Sequence, residues 1–218
     1  MTRAALQGKV LPVDKFASLF WKAFQKKIKR EPYLDDKYKR LLRDFVEYFY
    51  CLHTGQEGAT WDTHKGVYLW GRTGIGKTTL FQAMSEVLNA LRSPVRIKMI
   101  GSFDLSQNIY QKVAEGHFSR YSGLPWNCVD DFMRESSDGK MNVYGTKIVP
   151  SAVFVEWAYI YWRNGTKFFF TSNFPPNHML SFDESLDHAV SRLYEMCNVI
   201  KMPDIDDLRI RFAQVVEY

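Results

Sequence analysis

The sequence predicts an α/β fold: a parallel sheet with helices on both faces, preceded by a short helical N-terminal segment. Three observations carry this. From residue 64 onward, short apolar runs alternate with helix-length amphipathic stretches, the rhythm of strand–helix units in a parallel sheet. One run, Phe168-Phe169-Phe170, shows no polar alternation, as a strand buried on both faces requires. Residues 14–52, in contrast, repeat their apolar side chains at helical spacing.

In that first segment Phe16, Leu19, Phe20 and Phe24 form one stripe. Beyond a break at Glu31-Pro32, Leu41, Leu42, Phe45, Val46 and Phe49 form a second. Residues 55–63, rich in Gly, Thr and charge, read as a linker, so the chain is expected to divide into a basic helical segment (1–55) and an α/β domain (56–218). Within the domain the pattern places strands at 66–70, 95–100, 126–130, 167–171 and 198–202, and helices at 77–91, 102–115, 151–162 and 184–195.

Composition agrees with one such domain plus an appended segment. The 218 residues are 46% hydrophobic and 24% charged, with 16% aromatic, which supplies a sizeable core and argues against disorder. Cys51, Cys128 and Cys197 are far apart, with no CxxC pair and no histidine at metal-ligand spacing, so they read as reduced thiols. The histidines, at 53, 64, 117, 178 and 188, read as structural or solvated. No apolar run approaches the ~18 residues of a membrane span, and a cytoplasmic location without membrane partners is expected. The net charge of +5 is concentrated at the start: residues 1–50 hold twelve Lys/Arg against six Asp/Glu. The run Lys26-Lys27-Ile28-Lys29-Arg30 is either a docking arm for an acidic partner, nucleic acid included, or a solvated helix face.

The chemistry begins at Gly71-Arg72-Thr73-Gly74-Ile75-Gly76-Lys77-Thr78, a full G-x-x-x-x-G-K-[ST] match between an expected strand and an expected helix, with Thr79 following. Glycines let the backbone curl so that its N–H groups face phosphate oxygens at a helix N-terminus. Lys77 then reaches the β- and γ-phosphates, and Thr78 offers its hydroxyl oxygen to Mg²⁺. The expected strand at 126–130 ends in Asp130-Asp131. Asp130 is placed as the second Mg²⁺-binding group and Asp131 as the carboxylate that polarises the attacking water. Thr171-Ser172-Asn173 closes the phenylalanine strand, where Asn173 can orient that water or simply begin a turn. Arg192, in Ser191-Arg192-Leu193-Tyr194-Glu195-Met196, is a candidate arginine finger acting on a neighbouring subunit. The plainer alternative is a helix-surface arginine paired with Glu195 or Asp187.

In order and spacing these segments resemble the DnaC/IstB group of AAA+ P-loop ATPases, over about residues 64–211. Asn142-Val143-Tyr144-Gly145 also looks like the aromatic-glycine stretch that such proteins carry after the acidic pair. The resemblance implies an ATPase using ATP and Mg²⁺, nucleotide-dependent self-association, binding of single-stranded DNA, and delivery of a replicative helicase. Residues 1–52 would dock on that helicase. Departures are visible: Asp131 stands where most members have Glu, and Glu156-Trp157-Ala158-Tyr159 stands where many carry an arginine. The residues after Met202 are too few for a full helical lid, leaving Arg209 or Arg211 as candidates for a sensor-II arginine.

Alternatives remain. An IstB-like ATPase would act on a transposase through the same site. A viral superfamily-3 Rep helicase core would need a lysine-bearing DNA hairpin between the acidic pair and Thr171, for which Lys140 or Lys147 is available. A small-molecule kinase would have no use for Asn173 or Arg192, and a non-hydrolysing nucleotide-gated protein would use the loop alone.

Overall fold

The computed structural model describes residues 11–28, 34–115, 126–134, 140–143 and 145–204. Backbone contacts divide the chain into two compact units, Met1–Thr63 with Gln82–Arg96, and His64–Phe81 with Ile97–Tyr218.

The first unit is built on helices α1 (Val13–Ile28) and α2 (Asp36–Thr54). Their apolar stripes meet: Phe16, Phe20 and Phe24 of α1 and Tyr38, Phe45, Tyr48 and Phe49 of α2 are buried, with the Phe20 and Phe45 rings 5.7 Å apart. Leu19 is the exception and is exposed. Asp35 caps α2 by accepting from the Tyr38 N–H at 2.7 Å, and Gly55 ends it at φ +74°, a left-handed turn that glycine enters without strain. The segment after Gly55 has neither helix nor strand but is pinned to α2. Trp61 packs on Phe45 and Tyr48, and Thr60 bonds Glu47 through both its N–H and its hydroxyl. Lys26 and Lys27 lie 3.6 and 3.3 Å from Glu86. Lys29, Arg30 and the Glu31-Pro32 break lie outside the described residues.

The second unit carries the five-stranded parallel sheet. In chain order its elements are β1 (Gly66–Trp70), the start of α3 (Lys77–Ala90), β2 (Met99–Gly101), α4 (Ser102–Ala114) and β3 (Cys128–Asp130). They continue with β4 (Met141–Val143), β5 (Thr146–Ile148), α5 (Pro150–Arg163), β6 (Phe169–Ser172), α6 (Asp187–Met196) and β7 (Cys197–Lys201). The strand order is β2-β3-β6-β1-β7, all parallel, while β4 and β5 form a separate antiparallel hairpin. Alternation in β6 puts helices on both faces: Phe170 meets Phe154 of α5, as Phe168 does, and Phe169 meets Phe81 of α3. Gly66 has no alternative residue, because a Cβ there would overlap the Phe168 carbonyl.

Three strands, β2, β3 and β6, start later than the apolar pattern indicates, and one side chain links the three starts. The Asn127 carboxamide oxygen accepts from the Lys98 N–H (2.8 Å) and its NH₂ donates to the Lys167 carbonyl (3.1 Å). These add to backbone bonds at the same place, where the Asn127 and Cys128 N–H groups donate to the Lys98 carbonyl and the Phe169 N–H donates to the Asn127 carbonyl. The helix expected at 184–195 also divides. Asp183 accepts from the Ser185 N–H and hydroxyl, tightening Glu184–Leu186 into a 3₁₀ turn before α6 begins.

Candidate active site

The strands point their C-terminal ends the same way, and β1 lies between β6 and β7, so the chain reverses its direction of sheet growth beside β1. Ligand sites of open parallel sheets form at such a switch point. The glycine loop leaves β1 here and runs into α3. Gly71, Gly74 and Gly76 have φ of +150°, +83° and +90°, conformations that residues with a Cβ avoid. A side chain at Gly71 would also press on Ile75 and Met202. Arg72 and Thr73 are exposed at the loop tip, Ile75 is fully buried beneath it, and Thr79 is half-buried.

The Lys77 side chain is buried under the loop, and its ammonium donates to the carbonyls of Gly71 (2.7 Å) and Arg72 (2.8 Å) and to Asn173 Oδ1 (3.0 Å). Thr78, one residue on, donates its hydroxyl to Asp130 Oδ1 at 2.6 Å. The same oxygen accepts from the Thr171 hydroxyl, also at 2.6 Å. Thr171 accepts in turn from the Asp131 N–H (3.0 Å), and Ser172 donates to the Phe132 carbonyl (2.8 Å). Gly71 N–H donates to the Ser172 carbonyl (3.2 Å), closing the circuit among β1, β3 and β6. Lys77, Thr78, Asp130 and Asn173 are thus brought together.

Sequence reasoning passed over Thr171 and Ser172 as bridging groups. The available signal was two consecutive hydroxyls at the end of an otherwise apolar strand. Both are fully buried, and buried hydroxyls need partners.

Asp131 stands apart in two respects. Its φ of +54° is left-handed, and its carboxylate is engaged by Arg134 at 2.8 Å. Arg192 makes its contacts elsewhere. Its Nη1 pairs with Glu156 of α5, and its guanidinium carbon lies 4.8 Å from the centre of the Tyr159 ring. Neither Glu195 nor Asp187 is its partner; Glu195 accepts from the Tyr159 hydroxyl at 3.0 Å. That bond holds the Tyr159 phenol above its usual pKa. Burial and the neighbouring Asp130 carboxylate push the Cys128 thiol well up. Arg209, Arg211, Tyr144 and His117 lie outside the described residues.

A magnesium ion suits this donor set. Thr78 and Asp130 offer one hydroxyl and one carboxylate, both hard oxygen donors, and among the described residues no cluster of three His, Cys, Asp or Glu forms a closed cage. Mg²⁺ is typically held by one or two such side chains, with waters and substrate phosphates completing its shell. No helix among the described residues is long and apolar enough to cross a membrane.

A parallel five-stranded sheet with a glycine loop opening onto α3 and an acid at the tip of β3 is a P-loop nucleotide-binding fold. Residues 67–174 match the family model described as RNA helicase. Among solved structures the chain is similar to the DnaC helicase loader, with a TM-score of 0.52 at 17% identity, covering 84% of this chain and 98% of that one. DnaI gives a TM-score of 0.50 at 17% identity, covering 88% and 98%. AMPPCP-bound DnaA from Aquifex aeolicus gives 0.52 at 16% identity, covering 81% of this chain and 50% of that one, so the chain spans half the length of that relative. No match was found among curated proteins. The resemblance to helicase loaders therefore holds at the level of the fold.

Proposed function

We propose that this chain is a Mg²⁺-dependent ATPase that handles single-stranded DNA and loads or remodels a replicative helicase. The observation that carries the nucleotide chemistry is the convergence of Thr78 and Thr171 on one oxygen of Asp130, with Lys77 held beside it by Asn173. Gly71 to Thr79 cradle the triphosphate through backbone N–H groups. Lys77 trades a carbonyl partner for a phosphate oxygen, and Thr78 and Asp130 are the residues that would hold a magnesium ion. Mg²⁺, when bound, neutralises charge on the phosphates. Asn173 and Asp131 orient and polarise the attacking water, and Arg192 serves the site of a neighbouring copy in a nucleotide-dependent assembly.

The loader role draws support from similarity to DnaC over most of both chains. A structure of the replication initiator DnaA bound to AMPPCP and single-stranded DNA, similar at a TM-score of 0.54 and 15% identity, supports a DNA ligand. In this reading residues 1–55 form the partner-docking segment, residues 56–218 the ATPase domain, and the protein works in the cytoplasm.

A second reading, a superfamily-3 helicase core, has two observations behind it. The helicase family model spans both the glycine loop and Thr171-Ser172-Asn173. The β4–β5 hairpin lies between the acidic pair and that segment, with Lys147 exposed on it opposite Asn142.

The test is ATP hydrolysis titrated with single-stranded DNA for wild type, Lys77→Ala and Arg192→Ala. DNA should raise the wild-type rate and both variants should lose it. Full activity in Arg192→Ala refutes the finger, and indifference to DNA removes the DNA-handling reading. Strand displacement by the chain alone would favour the helicase core.

A further inference from the structure

We infer that Glu156 is the positioning residue for Arg192: its carboxylate, with the Tyr159 ring, holds the guanidinium in one orientation for use on a neighbouring copy's nucleotide. The inference rests on the reading of Arg192 as a finger. It gives a role to a residue of α5 that the nucleotide chemistry above does not use.

The geometry is specific. Glu156 and Tyr159 lie three residues apart on α5 and therefore share a face, which packs on α6 where Arg192 sits. Glu156 takes Nη1, and Tyr159 lies 4.8 Å from the guanidinium carbon. Tyr159 is itself fixed, by its hydroxyl bond to Glu195 and by stacking on Trp162 at 5.5 Å. On the far side of the carboxylate, His188 Nε2 lies 3.4 Å from Glu156 Oε1. An arginine has five N–H donors, and one carboxylate oxygen at Nη1 leaves the others for an incoming phosphate. The Arg192 side chain stays 31% exposed, so it is reachable. Holding a long side chain in one rotamer beforehand removes ordering entropy from the step that engages the transition state.

The experiment is a double-mutant cycle on the full chain with Glu156→Gln, Arg192→Ala and the pair, with Lys77→Ala as a control. The readouts are kcat and KM for ATP, together with ¹⁵N NMR of the Arg192 guanidinium. Glu156→Gln should lower kcat about tenfold with KM unchanged and restore fast guanidinium rotation, Glu156→Asp should recover part of both, and Glu156→Gln should have no further effect once Arg192 is Ala. Independent, multiplying effects overturn the inference. So does a faster Glu156→Gln enzyme, which would make the pair a latch. If Arg192→Ala retains full activity while Lys77→Ala is inactive, the finger reading itself fails; if the NMR signature does not respond to Glu156→Gln, only the positioning role does.

Discussion

The ammonium of Lys77 donates to the side-chain carbonyl of Asn173 at 3.0 Å, tying the glycine loop after β1 to the tip of β6. The two residues are 96 positions apart in the chain, yet one hydrogen bond sets where each can point. Asn173→Ala should therefore disturb Lys77 as well as any water it orients. The expected outcome is a drop in ATP hydrolysis of about a hundredfold, with nucleotide affinity changed far less, measured by steady-state kinetics beside titration calorimetry.

Thr171→Val keeps the volume but deletes the hydroxyl that serves Asp130 and the Asp131 N–H. An amide left without its acceptor costs up to about 1–3 kcal/mol, and that of Asp131 is part-buried. Urea unfolding should show a loss in that range, with Thr171→Ser close to wild type. Equal stability of Thr171→Val and wild type would contradict the bridging role.

Gly66→Ala should be among the most damaging single changes. Its added methyl meets the Phe168 backbone carbonyl, which no rotamer change can relieve. A loss of about 3 kcal/mol or more is expected, visible as a lower Tm or as failure to accumulate folded protein.

His53 supplies the pH prediction. It stacks on Phe16, its Nδ1 is buried without a hydrogen-bond partner, and burial lowers its pKa from the ordinary 6.5. The unfolded chain therefore takes up a proton at a higher pH than the folded one. Its contribution is intact above pH 6.5 and is lost as pH falls from there through the lower folded value. Thermal melts from pH 7.5 to 5 should show wild type losing stability that His53→Phe does not lose.

All three cysteines are buried, and burial raises the pKa of Cys128 and Cys197. Reaction with a thiol reagent at neutral pH should be slow in the native protein and complete in urea. Fast labelling of Cys128 in native conditions would mean that β3 opens.

Much of this was legible in the sequence, and for stated reasons. Buried parallel strands must be apolar throughout, so β1 and β6 stood out, and the glycine loop is a local motif readable without the fold. Strand starts were not legible, since they depend on pairing across the sheet, where Asn127 meets Lys98 and Lys167, a relation that no local pattern encodes. Arg192 shows the same limit. Its sequence neighbours Asp187 and Glu195 were the evident partners, but α5–α6 packing brings Glu156 instead. Thr171 and Ser172 fall between these cases: the motif was visible, and the work of its hydroxyls required the neighbouring strand.

The hydroxyl of Thr171 has one further consequence. An amide N–H can only give a proton, so the Asp131 amide occupies a lone pair of Thr171 and forces that hydroxyl's hydrogen toward Asp130. A carboxylate oxygen can only receive, so the Thr78 hydrogen turns toward Asp130 as well. The polarity of the chain of bonds thus runs one way, from sheet interior to acid and from helix to acid. What Thr78 presents on its remaining side is bare oxygen electron density, oriented before any cation arrives.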